Sequence, residues 1–458
     1  MSKPFTPHEY QKLATQFLLA TPKAALYADM GLGKTGTVLS VADTLLHAGY
    51  DEPILALAPL RVARETWRKE AAKWDDFQYM RIEPIVGAPI RRLEALKRKA
   101  HIHTCNYEQL EWLVETVGIA NWPWKMVIAD ESTRLKGYRL KKGGNRARAL
   151  ALVARQAERW INLSGTPAPN GLKDLWGQYW FIDQGQRLGR TYTGFEQRWF
   201  RKKYSGYGLE PFDHSEREIH ERIADITMSL RAKDWFDLNE PRVVPVPVTL
   251  PPALRQKYRQ LENELFTILA CGTHVEVFNS GALTGKCMQF ANGAVYTKHP
   301  EWAAVHDFKL QALESIVNET GGRQLLVSYQ FQSDRERILK RFPQSVDISK
   351  PAGFKAWMAG DKQMGVAHPA SMGHGLDGMQ ENCWTAVYFG YTWKLDDHQQ
   401  ILERIGPVRQ FQSGFKDRVV DIYQIICEDT LDEDCLARHE SKCSVQDALK
   451  AAMTRRKS

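Results

Sequence analysis

The sequence predicts an α/β chain of two lobes, each a mostly parallel sheet covered by helices. Three observations carry that prediction. Short apolar runs of strand length alternate with helical patterns along most of the 458 residues. A glycine-rich loop joins the first such run to the first long helix. An acidic pair closes a later run, at the edge where parallel sheets bind ligands.

Bulk properties narrow the class. A chain of this length can bury two or three cores. It is 43% hydrophobic and 25% charged, with no apolar run long enough to cross a bilayer. Met1–His8 has no apolar stretch behind its single lysine, so no signal peptide is expected and a cytoplasmic setting is. Seven scattered cysteines without a CxxC pair argue against a zinc site or a disulfide framework. The net charge of +8 is mild, but two segments concentrate it. Arg91, Arg92, Lys97, Arg98 and Lys99 read equally as a solvated helix face or as phosphate contacts. Arg134, Lys136, Arg139, Lys141, Lys142, Arg146 and Arg148 surround Gly143 and Gly144 and read as a basic loop beside an active site.

The chain begins with a helical pattern through Tyr10, Leu13, Phe17 and Leu18. Within it, Gln11 carries an amide whose donor and acceptor suit the edge of adenine, although a surface glutamine is the ordinary case. Ala24–Ala28 reads as a buried strand, and Val38 to Leu46 as a helix. Between them, Ala28-Asp-Met-Gly-Leu-Gly-Lys-Thr35 reads as a phosphate-binding loop, with Ala28 where the usual pattern opens with glycine. Gly31 and Gly33 allow the tight turn that points backbone N–H groups at phosphate oxygens. Lys34 would reach the β- and γ-phosphates, and the Thr35 hydroxyl would ligate Mg²⁺.

Ile54–Leu60 is a strand stopped by Pro59, followed by a helix with Trp67, Glu70 and Trp74. Ile102–Tyr107 is a strand ending near Asn106. Met126–Ala129 delivers Asp130-Glu131-Ser132-Thr133. There Asp130 can hold Mg²⁺ and Glu131 can polarise an attacking water, although an acidic pair at a strand end also serves as a helix cap. Trp160–Leu163 ends in Ser164-Gly165-Thr166-Pro167, which would sit beside the acidic pair and link it to the rest of the site.

The order of these motifs resembles the core of superfamily-two helicases, and specifically the Swi/Snf-type DNA translocases. Tyr10-Gln11, the Met30-to-Thr35 loop, Ala58-Pro-Leu with Trp67 and Glu70, Asp130–Thr133 and Leu163–Asn170 carry the resemblance. Ser132-Thr133 stands where that branch usually has Ala-His. The resemblance implies two RecA-like lobes that close on ATP and Mg²⁺, with lobe one at 1–238 and lobe two at 239–458. Lobe one would contain a helical insertion at about 171–238, whose aromatic stripe reads as core. Lobe two would open with an extended crossover and a helical protrusion at about 241–305.

The second half matches later motifs. Gln324–Phe331 is a strand and loop; Ser371–Asp377 is a Gly-rich loop after Gly365–His368; Ala386–Trp393 is a strand and turn; Val419–Ile426 is the last strand. In the sixth motif Gln400 and Arg404 fit, but the second expected arginine position is Pro407, and Arg409 is the nearest later arginine. Either Arg404 or Arg409 could meet the γ-phosphate, and Pro407 should break the helix between them. The resemblance implies that nucleotide meets Tyr10, Gln11, Met30, Gly31, Leu32, Gly33, Lys34, Thr35, Gly375 and Asp377. It implies nucleic-acid contacts at Pro59, Arg61, Asn106, Thr166, Gln330 and Ser371.

The activity implied is an ATP-dependent double-stranded DNA translocase, a DNA-dependent ATPase acting as a monomer that remodels DNA or protein–DNA complexes. A strand-separating helicase would need a wedge that no motif reveals. A nucleotide-dependent binding switch with little turnover is the other class, and Glu131 argues against it. The compact core resembles phage or bacterial members of the branch.

Overall fold

The computed structural model of the chain describes residues 3–29, 31–140, 144–165, 167–169, 171–202, 209–271, 274–298, 300–372, 378–441, 448–449, 452 and 455–456. It divides into two compact units, Met1–Phe236 and Asp237–Ser458.

The first unit is built on strands β1 (Lys23–Ala28), β2 (Ile54–Ala58), β3 (Ile82–Ile85), β4 (Ile102–Asn106), β5 (Met126–Asp130) and β6 (Arg159–Ser164). A small antiparallel hairpin, β7 (Phe200–Lys202) with β8 (Leu209–Pro211), precedes β9 (Thr227–Leu230). Seven strands form one sheet in the order β3-β4-β2-β5-β6-β1-β9, every pairing parallel. Strands β2, β4 and β5 are buried at every position. Helices on both faces of a parallel sheet require this. Helix α1 (Glu9–Ala20) precedes the sheet, and α2 (Lys34–His47) leaves the phosphate-binding loop.

The stretch after residue 171 is not wholly helical. Helices Lys173–Asp183, Tyr192–Trp199 and Ser215–Ile223 are present, but β9 from the same stretch extends the main sheet beside β1. Four residues, Thr-Met-Ser-Leu, are too few to show a period, so the strand had no readable pattern. The aromatic stripe is core: Trp176, Tyr179, Trp180, Phe195, Trp199 and Phe200 are all buried.

The second unit opens with β10 (Arg242–Val248), the extended segment expected from its prolines. Two long helices follow, Pro252–Cys271 and His274–Asn292, then a hairpin of β11 (Ala294–Lys298) and β12 (Glu301–Ala304). The remaining strands are β13 (Gln324–Ser328), β14 (Ser345–Asp347), β15 (Met364–Ala367), β16 (Cys383–Tyr388) and β17 (Asp421–Cys427). With β10 they form a six-stranded parallel sheet in the order β10-β17-β16-β13-β15-β14. Pro245 and Pro247 sit in β10, an edge strand, where a missing N–H costs no ladder bond. No helix among the described residues is long and apolar enough to cross a membrane.

Candidate nucleotide site

Sheet order decides what can meet. Strands β5, β6 and β1 are consecutive neighbours, so three loops leave one edge side by side. They are the phosphate-binding loop after β1, the Asp130–Thr133 turn after β5 and the Ser164 loop after β6.

In the first loop, Gly31 and Gly33 both take positive φ, 87° and 69°. Gly33 caps α2, and a Cβ there would lie 2.7 Å from the Gln11 side-chain nitrogen, so only glycine fits. Leu32 is buried, while Lys34 and Thr35 are half-buried. The Lys34 ammonium donates to the carbonyls of Ala28 (2.7 Å) and Asp29 (3.5 Å). The Asp29 carboxylate accepts from the Ala232 N–H at 2.8 Å, tying the start of the loop to the end of β9. Met30 lies outside the described residues.

Gln11 is buried and already used by the protein. Its Oε1 accepts from the His8 N–H at 2.9 Å, and its Nε2 donates to the Gly33 carbonyl at 3.4 Å. Tyr10 packs in an aromatic group with His8 (5.3 Å), Trp235 (5.6 Å) and Phe236 (5.7 Å). Burial pushes its phenol up to about 12, so it stays neutral.

The acidic pair is held under constraint. Asp130 is buried, and burial pushes its carboxyl above the ordinary carboxylate range, opposed by the Lys34 charge and a hydrogen bond from Trp67. Trp67 Nε1–H donates to Asp130 Oδ2 at 3.3 Å. The buried Tyr107 hydroxyl donates to the Asp130 carbonyl at 2.9 Å. Glu131 takes φ 61° and ψ 56°, a left-handed conformation that a residue with a Cβ rarely adopts, and starts the short helical turn Ser132–Leu135.

Sequence reasoning placed Trp67 in a motif without giving it a contact, and it missed Tyr107 and Gln178. Trp67 was read as part of a helix; a π-turn, Val62–Thr66, precedes that helix, α3 (Trp67–Lys73), and Trp67 stands at the junction. Pi turns have no sequence signature, though they recur at functional sites. Tyr107 follows a strand whose end had been noticed only for Asn106. Gln178 lies in the aromatic helix, where one polar residue among core positions was the available signal; its amide accepts from the Ser132 hydroxyl at 2.7 Å.

Pro59, Arg61 and Asn106 lie at the ends of β2 and β4, beside the same edge. Pro59 is buried and Arg61 exposed. Asn106 is buried, and its Nδ2 donates to Glu108 Oε2 at 2.9 Å. Thr166 and Asn170 lie outside the described residues. The first basic segment is divided: Arg92 is buried against Trp112, its guanidinium 4.0 Å from the ring centre, whereas Arg91 and Arg98 line a hollow of about 580 Å³ with Arg64, Arg68 and Glu83. The second segment is largely tied down. Arg134 and Arg146 approach Glu108 at 3.7 and 3.5 Å, Lys136 approaches Asp174 at 3.4 Å, and Arg139 stacks 3.3 Å from the Tyr192 ring centre. Lys141, Lys142 and Gly143 lie outside the described residues.

In the second unit, Gln330, Ser371 and the helix Leu395–Ile405 follow β13, β15 and β16, again three neighbouring strands. Asp334 accepts from the N–H groups of Gln330 (3.3 Å) and Phe331 (2.9 Å), holding that loop. Burial pushes the Asp334 carboxyl up to about 6. Asn292 Nδ2 donates to Asp334 at 2.8 Å and its Oδ1 accepts from Lys309, which pairs with Asp432 at 2.5 Å, all buried. The Ser371 hydroxyl donates to the His368 carbonyl at 2.6 Å. Gly375 and Asp377 lie outside the described residues.

The helix carrying Gln400 and Arg404 ends at Ile405, and a new one, Pro407–Gln412, begins with Pro407 at its first position and carries Arg409. The expected break is therefore present. At the break Gly406 has no room for a side chain, because a Cβ would overlap the Leu402 carbonyl. Arg404 Nε donates to the Met372 carbonyl at 2.8 Å. Arg404 and Arg409 are both half-buried.

No group of three or more His, Cys, Asp or Glu able to hold a metal occurs among the described residues. Asp130, buried, and Thr35, half-buried, stand on segments that leave the same edge of the sheet and would suit Mg²⁺ instead, because that ion takes one or two protein oxygens and fills its shell with phosphates and water.

Comparison with known proteins agrees with this geometry. The family model for the SNF2-related domain matches residues 10–235. Protein p41 of Acyrthosiphon pisum secondary endosymbiont phage 1 is 45% identical over 465 residues, covering 99% of this chain and all of that protein. The zebrafish (Danio rerio) DNA excision repair protein ERCC-6-like is 29% identical over 198 residues, which are 41% of this chain but 13% of that much longer protein. The helicase domain of Pyrococcus furiosus Hef is 12% identical, covers 95% of this chain and 98% of its own, and superimposes with a TM-score of 0.52. That last likeness bears on fold alone, and it agrees with two RecA-like lobes. The chain belongs to the SNF2-related family, the Swi/Snf-type DNA-dependent ATPases of helicase superfamily two.

Proposed function

We propose that this chain couples ATP hydrolysis to movement along duplex DNA, and so remodels DNA or protein–DNA complexes. One observation carries the reading: in a chain of this family, the loop that ends in Lys34 and the turn that carries buried Asp130 leave the same edge of the sheet, with Glu131 held in a left-handed turn there. Lys34 neutralises the phosphate on which charge develops, and Glu131 orients and polarises the attacking water. Bound Mg²⁺, held by Thr35, Asp130 and the phosphates, would supply further charge neutralisation. Gln11 and Tyr10 border the base, and Arg404 or Arg409 stabilises the transition state.

The track is read as the phosphate backbone. Arg61 is exposed beside the site, and the arginine-lined hollow near it adds positive charge. Pro59, Asn106, Thr166, Gln330 and Ser371 complete the assignment. Phosphate contacts carry register without sequence information, which suits movement along any duplex. The printed names of partial relatives point the same way, among them DNA excision repair protein ERCC-6-like and Protein CHROMATIN REMODELING 19 of Arabidopsis thaliana, 30% identical over 38% of this chain. A monomer in the cytoplasm of a bacterial or phage-infected cell is the setting we favour.

The test is the ATPase rate without nucleic acid and with single strand, duplex and RNA, across salt. Duplex of any sequence should stimulate, with apparent affinity falling as salt rises. A rate indifferent to DNA, or raised by RNA alone, would overturn the proposal.

A further inference from the structure

Ser132 places a hydroxyl in the interior one residue after Glu131. Ser132 is fully buried, and a buried hydroxyl needs a partner. Gln178 supplies it: the Ser132 Oγ–H donates to Gln178 Oε1 at 2.7 Å. The same amide turns its Nε2 to two carbonyls, Pro167 at 2.6 Å and Asp174 at 2.9 Å. Asn162 Nδ2 donates to the Gln178 backbone carbonyl at 2.9 Å, and Trp160 Nε1 to Asn162 Oδ1 at 2.8 Å. Gln178 and Asn162 are fully buried.

That arrangement uses both N–H donors of the amide and its carbonyl. One side chain thus holds the turn after β5 and the loop after β6 together. The neighbouring residue tightens the contact. Gly177 lies so close to that turn that a Cβ would be 2.6 Å from the Leu135 carbonyl and 2.8 Å from that of Lys136. Helix Lys173–Asp183 therefore sits backbone to backbone on the turn that aims Glu131. Neither loop can shift without breaking a buried bond to Gln178 or carrying the other with it.

We propose that Gln178 is a positioning residue that couples the Glu131 turn to Pro167, after β6, so that duplex engagement changes the rate of hydrolysis. This rests on the proposed function. Gln178 touches no reacting atom; it acts through Ser132 and Pro167.

The experiment compares wild type, S132A, Q178L and S132A/Q178L, each assayed for thermal unfolding and for ATPase with and without duplex. Q178L alone leaves the buried Ser132 hydroxyl unpaired as well as the Pro167 carbonyl, whereas the double variant leaves only the carbonyl without its donor, so the double variant should unfold above Q178L. A merely structural link predicts that it also recovers the wild-type ratio of duplex-stimulated to basal rate. Coupling predicts that the ratio stays at least tenfold below wild type, because the contact to Pro167 is gone. A well-folded double variant with a ratio within twofold of wild type overturns the inference. If the double variant does not fold, S132A decides, since it deletes one oxygen: a preserved ratio overturns the inference, and a lost ratio with the midpoint within a few degrees supports it. A wild-type protein indifferent to duplex overturns the proposed function and this inference together. Stimulated wild type with equally stimulated variants overturns the link alone.

Discussion

Glu131 offers the sharpest separation of stability from activity. Its φ of 61° places an L-residue in the left-handed region. There the Cβ crowds the following carbonyl, at about 1–2 kcal/mol relative to the right-handed region. Glycine has no such crowding, but ordering it costs roughly 0.5–1 kcal/mol more chain entropy. Glu131→Gly should therefore be more stable than Glu131→Ala by about 1 kcal/mol or somewhat less, the two effects partly cancelling. Both variants lack the carboxylate, so both should lose turnover. Glu131→Gln, which keeps size and strain, should also be inactive and should unfold near wild type.

The first unit spans Met1–Phe236, and for a domain of that size about 1 kcal/mol moves the midpoint by roughly 2–4 °C. A chain of two units is not expected to unfold in a single step, so the comparison needs resolved transitions by calorimetry rather than one overall midpoint. Ligand-free protein is required, since a variant that still binds ATP would be raised by mass action. If Glu131→Gly melts at or below Glu131→Ala, the turn holds no strain and the argument fails. If either variant hydrolyses ATP near the wild-type rate, Glu131 is not the group that activates water.

Three further outcomes follow from the second unit. His398, His439 and His306 are buried, and burial lowers them to about 3, 4 and 4, so each is neutral when folded and protonates on unfolding below about 6.5. Stability from these groups is complete above that pH and lost as pH falls through the window, by up to about 1.4 kcal/mol per pH unit for each; Glu262 and Asp334, raised to about 7 and 6, oppose the trend. His398→Phe should thus flatten the acid limb of an unfolding-versus-pH curve, and an unchanged limb would refute the assignment. Gly406→Ala should cost about 1–3 kcal/mol as the added carbon displaces the last turn of the helix, and should lower turnover with little change in ATP affinity; normal turnover would show that the break does not set the arginines. Arg409→Ala should lose on the order of a thousandfold in turnover while still binding ATP, whereas Arg404→Ala should also loosen the Met372 loop that it holds; a normal Arg409→Ala beside an inactive Arg404→Ala would make Arg404 the finger.

Much of the fold was legible because parallel sheets buried on both faces write themselves as uniform apolar runs. Strands β2, β4, β5 and β6 were read to within a residue or two, and β10 was recognised from its prolines. Residue pairs at fixed spacing, such as Gly33 with Lys34 before a helix, were legible for the same reason: a backbone demand leaves few choices of side chain. The strand β9 was not, since four mixed residues carry no period, and neither was the π-turn before Trp67. Tertiary partners were illegible in principle. Nothing local to Tyr107 announces that it reaches the acidic turn, and Gln178, polar among core positions, announces a buried partner but not which one.

The departures from the family pattern are where local reading and three-dimensional structure inform one another most. Ser132 looked like a loss of pattern, yet its hydroxyl is matched by Gln178, a polar residue in a helix that is otherwise core. The misplaced arginine of the sixth motif looked like another, yet Gly406 and Pro407 end one helix and start the next around it. Gln410 then secures the junction: its Nε2 donates to the Ile405 carbonyl at 3.0 Å, the carbonyl left open where the first helix stops, and to Cys383 at 2.9 Å. Each departure thus comes with a buried partner that satisfies the polar group it exposes. An unsatisfied group there would cost about 1–3 kcal/mol, a large part of the margin by which a domain stays folded. The partner residues, Gln178 and Gln410, are therefore the positions whose replacement should separate a tolerated departure from a damaging one.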